Sequence, residues 1–193
     1  RESVGSVILF GNRSLESMRD IALPSDSSTS NMLMKWILGK RGLDPKLVPM
    51  GPDIESMLEE CDGALIIGDR ALSAAISNPD LVRMDLGSEW TKITGLPMVF
   101  GVFATRSDSP PTFVNKARDS MLSSYRLFLD EENLQSEVIS IASQKIALPK
   151  ERVAKYFESE VSNILDEPSL EGLQVFLDEV CGMRTGPRWF QSD

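Results

Sequence analysis

The sequence contains no histidine. Histidine is the usual general base of Ser-His-Asp and Cys-His nucleophile systems, and it is a common zinc ligand. Its absence excludes those systems, His-ligated zinc and imidazole acid–base chemistry. Any catalysis must therefore use carboxylates, hydroxyls, lysine, tyrosine, backbone dipoles or the substrate itself.

Cysteine and long apolar runs are also scarce, and the 20 basic residues are outnumbered by 29 acidic ones. Cys61 and Cys181 form no CxxC motif, which is typical of buried or free thiols in a cytoplasmic protein. The net charge of −9 argues against a nucleic-acid surface, because phosphate contacts need clustered Lys and Arg. No apolar run approaches the roughly 20 residues of a membrane span, and residues 1–5 do not resemble a signal peptide. We therefore predict a cytoplasmic location with neither nucleic acid nor membrane as a partner.

Two kinds of apolar segment alternate along the first half of the chain: short continuous runs and segments with helical spacing. Hydrophobic residues make up 41% of the sequence, enough for a folded core. Short β-branched runs predict strands, and runs with helical spacing lie between them, which is the order of parallel βα units. The predicted strands are 4–10, 21–23, 46–49, 64–67 and 81–84, and the predicted helices are 29–40, 53–60, 69–77 and 88–94.

The second half of the chain changes character. Residues 97–105 (PMVFGVFAT) predict a long strand, and helices are predicted over 111–130, 132–147, 149–165 and 169–180. Two strands that bracket an α/β lobe suggest a two-strand hinge, with 4–10 beside 97–105. The predicted division is 1–20 as part of lobe 1 with the first hinge strand, 21–86 as lobe 2, and 87–193 as the return strand and helical remainder of lobe 1.

Polar residues follow two of the predicted strands. Residues 25–30 (SDSSTS) lie between a strand and a helix, where Ser27 or Ser28 would cap the helix and its free N–H groups, with the hydroxyls of Thr29 and Ser30, could hold a carboxylate. Such residues also cap helices that bind nothing. Only the excess of hydroxyls over one cap favours a ligand.

The second polar group is Gly68 and Asp69, at the end of a buried strand. Gly68 permits a tight turn, and Asp69 opens the next helix, either as its cap or as a group that binds a ligand hydroxyl or takes a proton. Loops after parallel strands lie on one edge of a sheet, so both helix N-termini should face one cleft. Ser6, on the first hinge strand, should line that cleft as well.

Three segments together resemble chorismate dehydratase of the futalosine route to menaquinone. They are residues 62–72 (DGALIIGDRAL), 85–90 (DLGSEW) and 94–100 (TGLPMVF), and the strand at 6–10 and the Ser28-Thr29-Ser30 helix fit in order and spacing. The resemblance covers residues 4 to about 103. The helical tail matches only in character.

The resemblance implies an α/β, two-lobed type-2 periplasmic-binding-protein-like fold with a C-terminal helical segment. It implies conversion of chorismate to 3-[(1-carboxyvinyl)oxy]benzoate and water, with no metal and no organic cofactor. Ser6 and Asp69 are then the candidate catalytic residues, and Ser28, Thr29, Ser30, Gly68 and Asp69 the candidate substrate-binding residues. The base is expected to be the substrate's own enolpyruvyl carboxylate, which would need no histidine.

Two departures from this family stand out. Its members carry a segment ahead of the first strand that supplies an active-site Asn, so we expect residues 1–193 alone to be poorly soluble or to need that segment in trans. The family usually has Ser where this sequence has Gly11, which would remove one cleft hydroxyl.

Two other functions stay open at this point. The sister enzyme 1,4-dihydroxy-6-naphthoate synthase shares the fold, but its chemistry is associated with a histidine. A non-catalytic binding protein for a small carboxylate would need only the cleft. Turnover of chorismate distinguishes the dehydratase from the binding protein.

Overall fold

Every strand predicted between residues 4 and 85 joins one five-stranded sheet in the computed structural model, which describes residues 3–190. The mixed α/β class is therefore confirmed. The strand order is β3-β2-β4-β1-β5. The strands are β1 (Val7–Gly11), β2 (Asp20–Pro24), β3 (Lys46–Met50), β4 (Gly63–Ile67) and β5 (Val82–Asp85).

The first strand of the chain runs against the others. β2 pairs in parallel with β3 and β4, whereas β1 is antiparallel to both of its neighbours, β4 and β5. The amino end of β1 therefore lies at the sheet edge where β2, β4 and β5 end. This places the residues just before β1 beside the helix N-termini that follow those strands.

The continuous apolar run of β1 explains its interior position in the sheet. All five of its residues are buried, as expected of a strand that is covered on both faces. Leu9 faces a core formed with the helices Ser28–Lys40 and Leu86–Thr94, the second of which carries Trp90. Phe10 faces a second core formed with the helices Ile54–Glu60 and Asp69–Ser77. Trp90 is fully buried, with ring centroids 5.0 Å from Trp36 and 5.9 Å from Phe176.

The helices lie close to their predicted positions. The last two continue into π-helical turns, at Tyr156–Glu160 and Phe176–Val180. None of the helices within residues 3–190 combines the length and hydropathy that a membrane crossing requires. The helices are α1 (Ser28–Lys40), α2 (Ile54–Glu60), α3 (Asp69–Ser77), α4 (Leu86–Thr94), α5 (Pro111–Asp130), α6 (Glu132–Ile146), α7 (Lys150–Lys155) and α8 (Glu167–Val175).

The prediction of a strand over residues 97–105 is wrong. This segment has no regular structure, and Val102 and Phe103 are 54% and 84% exposed. A strand needs a neighbour to pair its N–H and C=O groups, and β1 is already paired on both sides by β4 and β5. The segment has the apolar composition of a strand, but both edges of β1, its expected partner, are already paired.

The helical tail packs against the lobe through a small apolar contact. Leu72 of α3 is buried with Leu148 and Val153, and Ile139 and Ile146 pack against them. In contrast, α5 and α6 contain no buried residue. The tail is therefore fixed to the sheet layer at two places: by α7, next to α3, and by Phe176, which packs on Trp90.

A charged cluster closes the sheet edge opposite the helix N-termini. The Asp62 carboxylate accepts hydrogen bonds from the Arg19 backbone N–H at 2.9 Å and from Arg19 Nε at 3.0 Å, and it pairs with Arg13 Nη2 at 3.2 Å. These contacts, above all the bond from the Arg19 side chain, lower the pKa of Asp62 to about 2.

The depressed pKa of Asp62 predicts a loss of stability in acid. A carboxyl whose pKa is lower in the folded state stabilises the fold above its unfolded pKa, and that contribution disappears as pH falls through the folded value. We expect the melting temperature to fall as the pH is lowered from about 4 to about 2, and the Asp62→Asn variant to fall less over the same range. Melting curves with Asp80→Asn, an exposed carboxylate, as control check this; parallel wild-type and Asp62→Asn curves would contradict it.

Candidate active site

Four chain segments meet at the edge of the sheet where the parallel strands end. They are the loop from β2 into α1, the turn from β4 into α3, the start of α4 after β5, and residues 3–6 before β1. Carboxyl ends of parallel strands are the usual ligand position in such sheets. The predicted convergence of the α1 and α3 N-termini on one edge is supported by the pairing of β2 with β4.

The α1 N-terminus is capped by Ser27. Its Oγ accepts the Ser30 N–H at 3.3 Å and donates to Ser30 Oγ at 3.0 Å, so these two serines satisfy each other. Ser30 is buried, Ser28 is exposed and Thr29 is half-buried. The N–H groups of Ser28 and Thr29 have no intrahelical acceptor at this position of a helix, and they are the donors that α1 offers to a ligand.

The turn into α3 depends on Gly68. Its φ of +65° lies in the left-handed region that glycine adopts without strain. Gly68 occupies the cap position and its N–H donates to the Ser6 carbonyl at 2.7 Å. Asp69 is thus the first helical residue and not the cap, which leaves its exposed carboxylate available for other contacts. The Gly68 N–H, by contrast, is already used.

One contact joins the α1 and α3 N-termini, and a second closes the loop between β2 and α1. Arg70, in the first turn of α3, forms an ion pair with Asp26, in the loop before α1. Asn31 of α1 donates from Nδ2 to the Pro24 carbonyl at 2.9 Å, which closes the same loop onto the end of β2. The loop that carries Ser27–Ser30 is therefore tied to the helix that carries Asp69.

The Ser6 side chain lies at one end of this edge. It is 7% exposed, and its Oγ is 3.4 Å from the Tyr156 hydroxyl. Tyr156 and Asp69 both line a cavity of about 150 Å³, together with Lys145 and an apolar wall. The structure therefore brings Ser6, Gly68, Asp69 and Tyr156 together. Of these four, Asp69 and Tyr156 line the cavity, whereas Ser6 and Gly68 lie next to it. Ser28, Thr29 and Ser30 lie on the same edge of the sheet and do not line the cavity either.

Asp85 fixes the backbone that leads into Ser6. Its carboxylate caps α4 through the Ser88 N–H at 2.9 Å, and it accepts the N–H groups of Val4 at 3.2 Å and Gly5 at 2.7 Å. One side chain thus satisfies donors from two segments.

Among residues 3–190, no group of three His, Cys, Asp or Glu side chains is placed to hold a metal ion.

Glu89, also buried, belongs to the scaffold behind this edge. Burial raises the pKa of Glu89, but the hydrogen bonds and charges of Lys92 and Arg41 outweigh it, and the pKa is lowered overall. The Lys92 contact is 2.7 Å, and Arg41 lies just beyond the end of α1. The carboxylate therefore ties α1 to α4 and takes no part in the cavity.

We expected that Gly11, where the family usually has Ser, would remove a hydroxyl from the cleft. This expectation is wrong, because position 11 does not lie at the cleft. Gly11 pairs with Gly63 and Val82 at the far end of β1, five residues from Ser6 and so roughly 17 Å along the strand. A Cβ at Gly11 would lie 2.1 Å from Met18 Cε, in the core beside Asp62. The glycine is explained by packing at the opposite edge.

Sequence reasoning missed Asp85 and Tyr156. Asp85 had a local signal, since an Asp before a helix with Ser three residues later is a capping pattern. Tyr156 had none, because 150 residues separate it from Ser6 and its helix was assigned only to the tail.

The comparisons with known proteins are consistent with this geometry. The model of a menaquinone-biosynthesis family matches residues 1–180. A chorismate dehydratase of Thermus thermophilus is 34% identical over 123 residues, which cover 56% of this chain and 45% of the enzyme. The crystal structure of protein AF1704 from Archaeoglobus fulgidus superimposes with a TM-score of 0.64 at 21% identity, over 92% of this chain and 66% of that one. The chain thus spans less than half the length of the curated relative.

Proposed function

Because the chain belongs to the menaquinone-biosynthesis family, we propose that it carries out the chorismate dehydratase reaction, converting chorismate to 3-[(1-carboxyvinyl)oxy]benzoate and water. It would then be a carbon–oxygen lyase. The observation that carries the proposal is the meeting of Ser6 and Asp69 with two helix N-termini at one sheet edge. The 34% identity to a chorismate dehydratase supports the choice of substrate.

The site suits a dianionic substrate. Chorismate carries two carboxylates, and helix N-termini stabilise anions through unpaired N–H groups and the helix dipole. The N–H groups of Ser28 and Thr29 in α1, and those of the first turn of α3, are the donors for these carboxylates. The Ser30 hydroxyl holds the α1 turn in shape through Ser27.

The reaction needs little activation. Loss of a ring proton and the ring hydroxyl makes the ring aromatic, so positioning supplies much of the catalysis. In this proposal the enolpyruvyl carboxylate of chorismate removes the ring proton and passes it to the departing ring hydroxyl, which leaves as water, while Ser6 and Asp69 bind and orient the reacting ring. Full loss of turnover in Asp69→Asn with binding intact would instead make Asp69 the base.

The lobe arrangement is part of the same proposal. We place residues 21–86 in one lobe of a type-2 periplasmic-binding-protein-like fold and residues 87–193 with the other. Residues 1–20 are assigned to that other lobe together with the first hinge strand, β1, which pairs into the sheet of residues 21–86. The similarity to the AF1704 structure supports the fold of the chain as described above. The cytoplasmic location inferred from the two unpaired cysteines belongs with this assignment.

The decisive experiment is turnover of chorismate by the protein expressed from its complete natural reading frame. We expect an aromatic product one water lighter than chorismate, detected by ultraviolet absorbance and mass. Ser6→Ala should lower kcat by about 100-fold, in the range of a lost positioned donor. A chorismate-dependent rise in melting temperature without any product would contradict the proposal and identify a binding protein on the same scaffold.

A further inference from the structure

One side of α7 and its π-helical turn lies against the start of β1. Arg152, Tyr156 and Glu160 are spaced by four residues, which places them on the same side of the helix. Arg152 Nη2 and Glu160 Oε2 are 2.8 Å apart, and the two side chains are only 18% and 10% exposed. A Cβ added to Gly5 would lie 2.0 Å from Glu160 Oε2, so this pair packs directly on the backbone before Ser6.

Tyr156 connects this helix to the candidate active site. Its hydroxyl lies 3.4 Å from Ser6 Oγ, and its side chain lines the cavity that Asp69 also lines. A serine hydroxyl rotates freely unless a partner fixes its direction. The Tyr156 hydroxyl lies within hydrogen-bonding distance of the Ser6 hydroxyl and can fix its direction. Hydrogen bonds of this length in unliganded sites commonly shorten when the substrate binds.

The backbone at Tyr156 is widened locally. The Val161 N–H donates to the Tyr156 carbonyl at 3.0 Å, a five-residue step that defines a π-helical turn. Such turns cost regular helical bonding and are frequent at functional sites. The turn begins at Tyr156 and ends at Glu160, so it spans the two residues that contact the start of β1.

We propose that Tyr156 is a positioning residue, which fixes the direction of the Ser6 hydroxyl next to the cavity and is itself held by the Arg152–Glu160 pair. The inference deepens the proposed dehydratase and rests on it for the reaction, but the contact with Ser6 is tested without turnover as well. Tyr156 would act through Ser6 and need not touch the reacting atoms.

The kinetic test uses the protein from its complete reading frame and the two tyrosines of the chain. We expect Tyr156→Phe to lower kcat about 10-fold with KM changed less than about 2-fold, while Tyr125→Phe, on α5, behaves like wild type. If Tyr156 acts through Ser6, the Ser6→Ala/Tyr156→Phe double variant should be no slower than Ser6→Ala. Equal activity of Tyr156→Phe and wild type, or multiplicative losses in the double variant, would overturn the proposal.

The second test needs no turnover. In a protein with Cys61 and Cys181 replaced by alanine, Ser6→Cys places a thiol at the position of the hydroxyl. The pH dependence of its alkylation by iodoacetamide reports the thiol pKa, which a hydroxyl donor lowers. We expect adding Tyr156→Phe to raise that pKa by about one unit. An unchanged pKa would overturn the contact, whereas absence of chorismate turnover with a shifted pKa would reject the dehydratase and keep the positioning role.

Discussion

Replacing Trp90 with alanine should reduce the free energy of unfolding by about 4 kcal/mol, the range for a large buried aromatic. The indole is fully buried between Trp36 and Phe176, and its Nε1–H donates to the Pro97 carbonyl at 3.3 Å. Alanine would leave a cavity next to β1 and would orphan that carbonyl. Trp90 also joins α4 to α1 and to the end of the helical tail, so neighbouring elements cannot collapse easily into the space.

Urea unfolding of Trp90→Ala and Trp189→Ala provides the comparison. Trp189 is 52% exposed, so its removal should change stability by less than about 0.5 kcal/mol. The variants lose the same side chain at sites of opposite burial. Equal losses in the two proteins would show that Trp90 does not hold the core together.

Gly5→Ala should destabilise the protein by about 3 kcal/mol and lower chorismate turnover at least about 10-fold. A φ of +64° costs a residue with a Cβ about 1–2 kcal/mol, and the new methyl would overlap Glu160 Oε2 at 2.0 Å. Glu160 can move only by separating from Arg152, and breaking a buried ion pair is destabilising. Any shift of the Gly5 backbone moves Ser6, its neighbour in the chain.

Gly42→Ala is the matched control for this variant. Gly42 has a φ of +66°, but a Cβ there would meet nothing within 4 Å. It should therefore show the backbone strain alone, about 1–2 kcal/mol, with turnover unchanged. Thermal and urea unfolding of both variants separate the cost of backbone strain from the cost of the overlap with Glu160. A loss in Gly5→Ala no greater than in Gly42→Ala would show that Glu160 moves aside freely.

The order of elements up to residue 94 was predictable because local patterns determine it. β-branched apolar runs and helical spacing identify strands and helices without knowledge of their neighbours. Pairing was less predictable, because strand partners depend on the whole sheet. Residues 97–105 show this: the segment has strand composition, yet β1, its expected partner, is already flanked by β4 and β5.

The candidate site divides in the same way. The pattern of parallel βα units was enough to predict that the loops carrying Ser27–Ser30 and Asp69 share one edge of the sheet. Ser6 was predicted at the same edge because it lies on the first hinge strand. The role of Asp69 as a cap was excluded only by the geometry of Gly68. Tyr156 was out of reach of any local pattern, because only the packing of α7 on the start of β1 places it beside Ser6.

The antiparallel position of β1 has a consequence for synthesis of the chain. β1 leaves the ribosome before β4 and β5, yet Val7 pairs with Ile67 and Ile8 with Asp85, so both neighbours of β1 are made later. Until then a strand of five apolar residues has no permanent partner, and such segments are prone to aggregation. Pairings this distant in sequence also slow folding. We therefore expect the pairing of β1 with β4 and β5 to be a late step of folding, and Ser6, which precedes β1, to reach its place beside Gly68 at that step.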